Sequence, residues 1–161
     1  MPSITTYLPR YQGSLKALIR DGMELVGYAR KSPTDDDIEN KARLIQLMVG
    51  NLKGRSFATR VYVSTSSWAS TTFAKRDLKP DSKVMENAEN VNGNTQDLLG
   101  YIHSCDHDIC LISIGLAGLT TRSIDLVNLI EDNPAIKVYK TTKRYFDYRN
   151  EFYAGLKSIL K

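Results

Sequence analysis

The chain has 161 residues, 42% of them hydrophobic and 25% charged, which is enough for one globular domain with a sizeable core and too few for two large ones. No run of eighteen apolar residues occurs, and the first 25 residues scatter charges among their apolar positions, which argues against a membrane span or a secretory signal. The net charge of +4 belongs to the last stretch: from Lys137 onward there are seven basic and two acidic residues, interleaved with aromatics, while the remainder is slightly acidic.

Residues 1–24 read as an N-terminal extension with one short helix marked by Leu15, Leu18 and Ile19. Leu25 to Ala29 is an apolar run of buried-strand length, bounded by Arg30-Lys31-Ser32 and broken at Pro33. Thr34 then reads as a helix N-cap with Asp37 three residues on, and Ile38, Ala42, Ile45, Val49 and Leu52 follow at helical spacing to about Gly54. Phe57 to Val63 alternates as a second strand. From Ala74 to Gly93 the chain turns polar and loses its period, predicting a mobile segment with at most one short helix.

Thr95 to His103 is helical by pattern, and Asp108 to Ile114 is the clearest buried strand, with Gly115 and Gly118 in its exit loop. Thr120 or Thr121 is placed to cap a helix whose apolar face is Ile124, Val127 and Ile130 or Leu129, ending before Pro134. Ile136 to Tyr139 is a fourth strand, and residues 143–161 form a basic amphipathic helix with Tyr145, Tyr148, Phe152, Leu156 and Ile159 on one stripe. Strands alternating with helices imply right-handed crossovers and a three-layer α/β domain over residues 25–142, with a mainly parallel sheet of about four strands flanked by helices.

In such sheets ligands collect at the carboxyl ends of the strands, where loops run into helix N-termini. Two junctions combine an arginine with hydroxyls: Tyr28-Ala29-Arg30-Lys31-Ser32 before the Thr34 helix, and Gly115 through Thr121-Arg122-Ser123. Neither has the spacing of a Walker loop or a dinucleotide fingerprint, so nucleotide hydrolysis and Rossmann-type binding are not expected.

The first of these motifs, at the end of a first strand and before an acidic helix start, resembles the opening motif of the serine recombinases of the resolvase and invertase type. Asp108 through Arg122-Ser123-Ile124-Asp125-Leu126 is similar to that family's third core strand, arginine loop and following helix. The resemblance runs over roughly residues 26–139 and implies DNA strand exchange without a metal or other cofactor. Ser32 would be the nucleophile, forming a 5′-phosphoserine link, with Arg30 and Arg122 as catalytic arginines. Lys31 and Ser123 would lie close to the phosphate, and Lys143, Arg144 and Arg149 of the last helix would make sequence-independent contacts to DNA. The implied partners are DNA, a second copy in a homodimer or higher oligomer, and a separate DNA-targeting protein, because nothing up to Lys161 resembles a helix-turn-helix or zinc-ribbon module.

Three positions depart from the family pattern. Leu119 stands where one arginine of the loop is usual, Ser64 stands where an aspartate follows the second strand, and only Lys75 or Arg76 is available for the arginine of the segment after it. A catalytically inactive relative, acting as a dimerising or nucleic-acid-binding regulator, is therefore the alternative reading, and a small-molecule phosphate-binding domain is a third. Ser32 read structurally ends a strand and leads into a helix; Arg30 read structurally pairs with the Asp35 to Asp37 cluster.

His103, Cys105, His107 and Cys110 make one further constellation with zinc-ligand chemistry, at a spacing that matches no standard finger. Cys110 falls in an apolar strand, where cysteine serves as a small buried side chain. With only these two cysteines and no signal sequence, a reducing intracellular compartment, cytoplasm or nucleus, is expected.

Overall fold

The computed structural model describes residues 4–34, 37–79, 82–114 and 120–141. They form an α/β domain of three layers around four strands: β1 (Glu24–Arg30), β2 (Arg60–Ser64), β3 (Ile109–Ser113) and β4 (Ile136–Thr141). All three pairings are parallel and the order across the sheet is β2-β1-β3-β4. The α/β expectation holds, with four strands and helices on both faces.

Side-chain alternation along the strands makes the two cores. Leu25 and Ala29 of β1, Val61 and Val63 of β2, and Cys110 and Ile112 of β3 pack with Tyr11 and Leu15 of α1 (Ile4–Arg20) and Ile45, Val49 and Leu52 of α2 (Ile38–Ser56). On the opposite face, Val26, Tyr28, Tyr62 and Leu111 pack with Leu98 and Ile102 of α4 (Thr95–Ser104) and Leu126, Leu129 and Ile130 of α5 (Ser123–Asp132). The residues read as an extension thus hold a 17-residue helix whose Tyr11 and Leu15 are fully buried; Tyr11 and Ser56 join hydroxyls at 2.6 Å.

Gly27 lets α2 approach β1: a Cβ there would stand 3.1 Å from Leu52 Cδ1 and 3.3 Å from Ala58 Cβ. The outer edge of β2 is occupied by the segment before α4. Val61 N–H donates to Asn92 Oδ1, Asn92 N–H to the Val61 carbonyl, and Val63 N–H to the Gly93 carbonyl. Asn94 and Asp97 then close a capping box on α4.

Several local expectations need correction. Asp37, not Thr34, caps α2 by accepting from the Asn40 amide, and Thr34 accepts from the Lys31 ammonium instead. A residue directly before the helix competes better for its orphan amides than one three positions earlier. The second strand starts at Arg60, because α2 runs to Ser56 and Phe57 takes a left-handed conformation (φ 57°) to end it. The first helical residue of α5 is Ser123, with Arg122 at the cap position and no side-chain cap bond. Its buried face includes Asp125 and Leu126, while Ile124 is exposed.

The segment expected to be mobile contains a 3-10 turn (Phe73–Lys75) and α3 (Ser82–Glu86), and is anchored by Phe73 and Arg76, both buried. Gly115 and Gly118 and the helix expected over 143–161 lie outside the described residues. Among the described residues, no helix is long and apolar enough to cross a membrane.

Candidate functional site

β1 is a central strand, and its carboxyl end delivers Arg30, Lys31 and Ser32 into a loop that also meets the end of β2. Arg30 pairs in register with Ser64, the Lys31 amide donates to the Ser64 carbonyl at 2.9 Å, and the Ser67 amide donates to the Lys31 carbonyl at 3.0 Å. These ladder bonds carry the strand pairing past its last residues and fix where the loop side chains start.

Arg30 and Ser32, two residues apart on one side of the chain, meet: Arg30 Nη1 donates to Ser32 Oγ at 3.0 Å and to the Ser67 carbonyl at 2.8 Å. Ser32 is exposed and Arg30 is half-buried. Partial burial, and then the nearby Arg76 charge, lower the Arg30 pKa from the ordinary guanidinium value. Burial also raises the Tyr28 phenol against the opposing influence of Arg76. Two guanidiniums therefore share this edge, and an anion against Arg30 would relieve their repulsion.

Lys31 turns the other way. It is buried, and its ammonium donates to Thr34 Oγ1 at 2.8 Å and to the Ser32 carbonyl at 3.3 Å, holding the turn that presents Ser32.

Arg76, one of the two residues that the resemblance offered for an arginine after β2, is 1% exposed. Nε donates to the Thr71 carbonyl at 2.9 Å, Nη1 to the Tyr28 hydroxyl at 3.1 Å and Nη2 to the Ala69 carbonyl at 3.2 Å, with the guanidinium 4.5 Å from the Phe73 ring centre. Every nitrogen of its fork is engaged by the fold. The other, Lys75, is exposed.

A carboxylate that the sequence pattern did not reveal meets the end of β2. Asp77 Oδ1 accepts from Ser64 Oγ at 3.1 Å, and Oδ2 accepts from the Thr95 amide at 3.0 Å, while Ser64 and Ser67 join hydroxyls at 2.6 Å. Asp77 sits in an aperiodic segment with φ 59°, so no spacing signal pointed to it. Around it opens a depression of about 420 Å³ lined by Ser66, Ser67, Trp68, Lys75, Asp77 and Lys79 among others, with Trp68 61% exposed. Lysines beside an exposed indole suit a nucleic acid, whose phosphates and bases offer charge and a stacking face.

The residues just before Arg122 meet the same loop. The Thr121 amide and Thr120 Oγ1 both donate to the Ala69 carbonyl, and the Arg122 amide donates to Thr120 Oγ1 at 3.0 Å. Arg122 and Ser123 are exposed at the start of α5. The loop at 64–72 thus anchors both junctions, the first through Arg30 on Ser67 and the second through Thr120 and Thr121 on Ala69, while among the described residues no hydrogen bond joins the Arg122 side chain to Arg30 or Ser32. Lys143, Arg144 and Arg149 lie outside the described residues.

The His and Cys constellation separates. Cys110 is buried against α1 and α2, and His103 lines a different hollow of about 280 Å³ beside Asp125 and Asn133. Cys105 and His107 remain together, joined by Glu24 at the start of β1.

The chain matches no protein-family model, no curated protein and no solved structure.

Proposed function

We propose that this chain acts on DNA at the carboxyl edge of its sheet, as a serine-recombinase-like protein in which Ser32 is the nucleophile and Arg30 and Arg122 hold the scissile phosphate. The observation that carries the reading is the Arg30 guanidinium bonded to the exposed Ser32 hydroxyl at 3.0 Å. A serine hydroxyl is a weak nucleophile, and a donor aimed at Oγ stabilises the charge that develops as its proton leaves. In the step proposed, Ser32 Oγ bonds to phosphorus and the bond from phosphorus to the 3′ oxygen breaks. Oγ loses one proton and the 3′ oxygen gains one, leaving a 5′-phosphoserine and a free 3′-hydroxyl. The exposed Lys75, Lys79 and Trp68 supply the adjoining nucleic-acid surface. A second copy of the chain and a separate targeting protein complete the reading as partners.

Arg76 favours a second reading. With its nitrogens committed to Tyr28, Ala69 and Thr71, and Leu119 in place of another arginine, two guanidiniums are left for a reaction that leans on several. Loss of one such donor costs about 100- to 1000-fold in rate. The second reading is a DNA-binding, dimerising regulator that keeps the loop without completing the chemistry.

A covalent trap separates the two. The protein is incubated with supercoiled and pre-nicked DNA without added metal, quenched in denaturant and digested, and the Ser32 peptide is read by mass spectrometry. A nucleotide adduct on Ser32 that disappears in Ser32→Ala is the expected result. DNA binding without an adduct overturns the nucleophile and leaves the regulator; no binding at all overturns both.

A further inference from the structure

The amino edge of the sheet, at the far end of β1 from Ser32, holds a cluster of a different chemistry. Cys105 Sγ, His107 and a Glu24 carboxylate oxygen offer one ligand atom each, all within 4.8 Å of one another. Sγ stands 3.3 Å from both ring nitrogens of His107, and His107 Nε2 stands 3.3 Å from Glu24 Oε1. Tetrahedral coordination with Zn–S of about 2.3 Å and Zn–N and Zn–O of about 2.0–2.1 Å puts S and N about 3.6 Å apart, and N and O about 3.3 Å apart. The cluster is already at that scale. The imidazole is 41% exposed, and metal binding turns its ring so that Nε2 faces the space between Sγ and the carboxylate.

The groups around these three are those that orient metal ligands. Asp106 Oδ1 lies 3.2 Å from His107 Nδ1, placed to accept its proton when Nε2 binds a metal. Tyr101 donates its hydroxyl to Glu24 Oε1, and Arg60 Nε stands 3.7 Å from Glu24 Oε2 with its guanidinium over the Tyr101 ring. The carboxylate is thereby fixed on the first residue of β1, whose amide accepts no choice of position either, since it donates to the Asp108 carbonyl at 3.0 Å. Charge also balances: a divalent ion and Arg60 together offset the Cys105 thiolate, Glu24 and Asp106.

We propose that Glu24, Cys105 and His107 bind a borderline divalent transition ion of the zinc type, with the fourth position open to water, and that the ion clips the loop between α4 and β3 to the start of β1. Thiolate, imidazole and carboxylate together suit Zn²⁺ and disfavour Mg²⁺ or Ca²⁺, which take oxygen ligands. Binding releases the thiol proton of Cys105. The site is independent of the Ser32 chemistry and stands if that reading fails.

The test uses the full chain, freed of metal and kept reduced, titrated with Co²⁺ and then Zn²⁺. Co²⁺ is expected to give a thiolate charge-transfer band and tetrahedral ligand-field bands, both erased by Zn²⁺. Cys105→Ser removes the charge-transfer band, His107→Asn and Glu24→Gln weaken binding by more than about 100-fold, and Asp106→Asn by about 10- to 100-fold. Zn²⁺ also slows alkylation of Cys105 and raises the melting midpoint of the parent but not of Cys105→Ser. Absence of the charge-transfer band in the folded parent, an unchanged Cys105 alkylation rate with Zn²⁺, or equal Co²⁺ affinity in His107→Asn overturns the proposal.

Discussion

Replacing Arg76 with alanine separates an arginine that builds the fold from one that touches substrate. The guanidinium is 1% exposed and gives hydrogen bonds to Thr71, Tyr28 and Ala69 while lying over Phe73. After truncation the Tyr28 hydroxyl keeps Thr95 at 2.9 Å, and the Ala69 carbonyl keeps the Thr121 amide. Thr71 is the acceptor that loses its Arg76 donor. One orphaned acceptor costs about 1–3 kcal/mol, the cation over the ring about 1–2 kcal/mol, and the emptied stem volume about another 1–2 kcal/mol. Relief from keeping a guanidinium out of water returns part of this, so a net loss of about 3 kcal/mol is expected. With a urea m-value of about 2 kcal/mol/M for a chain of this size, the unfolding midpoint falls by about 1.5 M. Circular dichroism in urea reads it directly. Arg30→Ala, which removes a half-buried side chain at the rim, shifts the midpoint by less than about 0.5 M. An Arg76→Ala midpoint within about 0.3 M of the parent would refute the reasoning and return Arg76 to the pool of functional arginines.

Three further outcomes follow from the packing and the site. Gly27→Ala brings a methyl to 3.1 Å from Leu52 Cδ1 and forces Leu52 and Ala58 to give by a few tenths of an ångström in a packed core, so thermal unfolding is expected to show a loss of about 1–3 kcal/mol. Leu15→Ala, in a helix buried against the sheet, costs about 2–5 kcal/mol, and a near-neutral result would show that α1 is dispensable to the domain. Titrated against duplex DNA over a range of salt, Arg122→Gln weakens binding and reduces the slope of log K against log salt by about 0.9, the value for one lost phosphate contact; an unchanged slope removes Arg122 from the DNA surface.

The sheet was legible because β1 and β3 are continuous apolar runs bounded by polar residues and too short to be helices, whereas the segments between them carry the 3.6 period. Helix ends were less legible. Thr34 and Asp37 are both competent caps, and only the path of the chain decides which one faces the amides of α2. At the site, Arg30 and Ser32 are two residues apart on a strand end, so their meeting follows from backbone geometry alone. Asp77 meeting Ser64, Glu24 meeting Cys105 and His107, and Arg76 reaching Tyr28 all join residues far apart in the chain. No local pattern encodes such pairs, because tertiary folding creates them, and the polar composition that suggested mobility at 74–93 was in part the set of side chains that ties this segment down.

The short stretch at Asn92 and Gly93 has a bearing on how copies of this chain can assemble. By taking up the outward amides of Val61 and Val63, it leaves the β2 side of the sheet without the row of open donors that a foreign strand needs for pairing. Among the described strands, β4 is then the edge left for two copies to join into one continuous sheet.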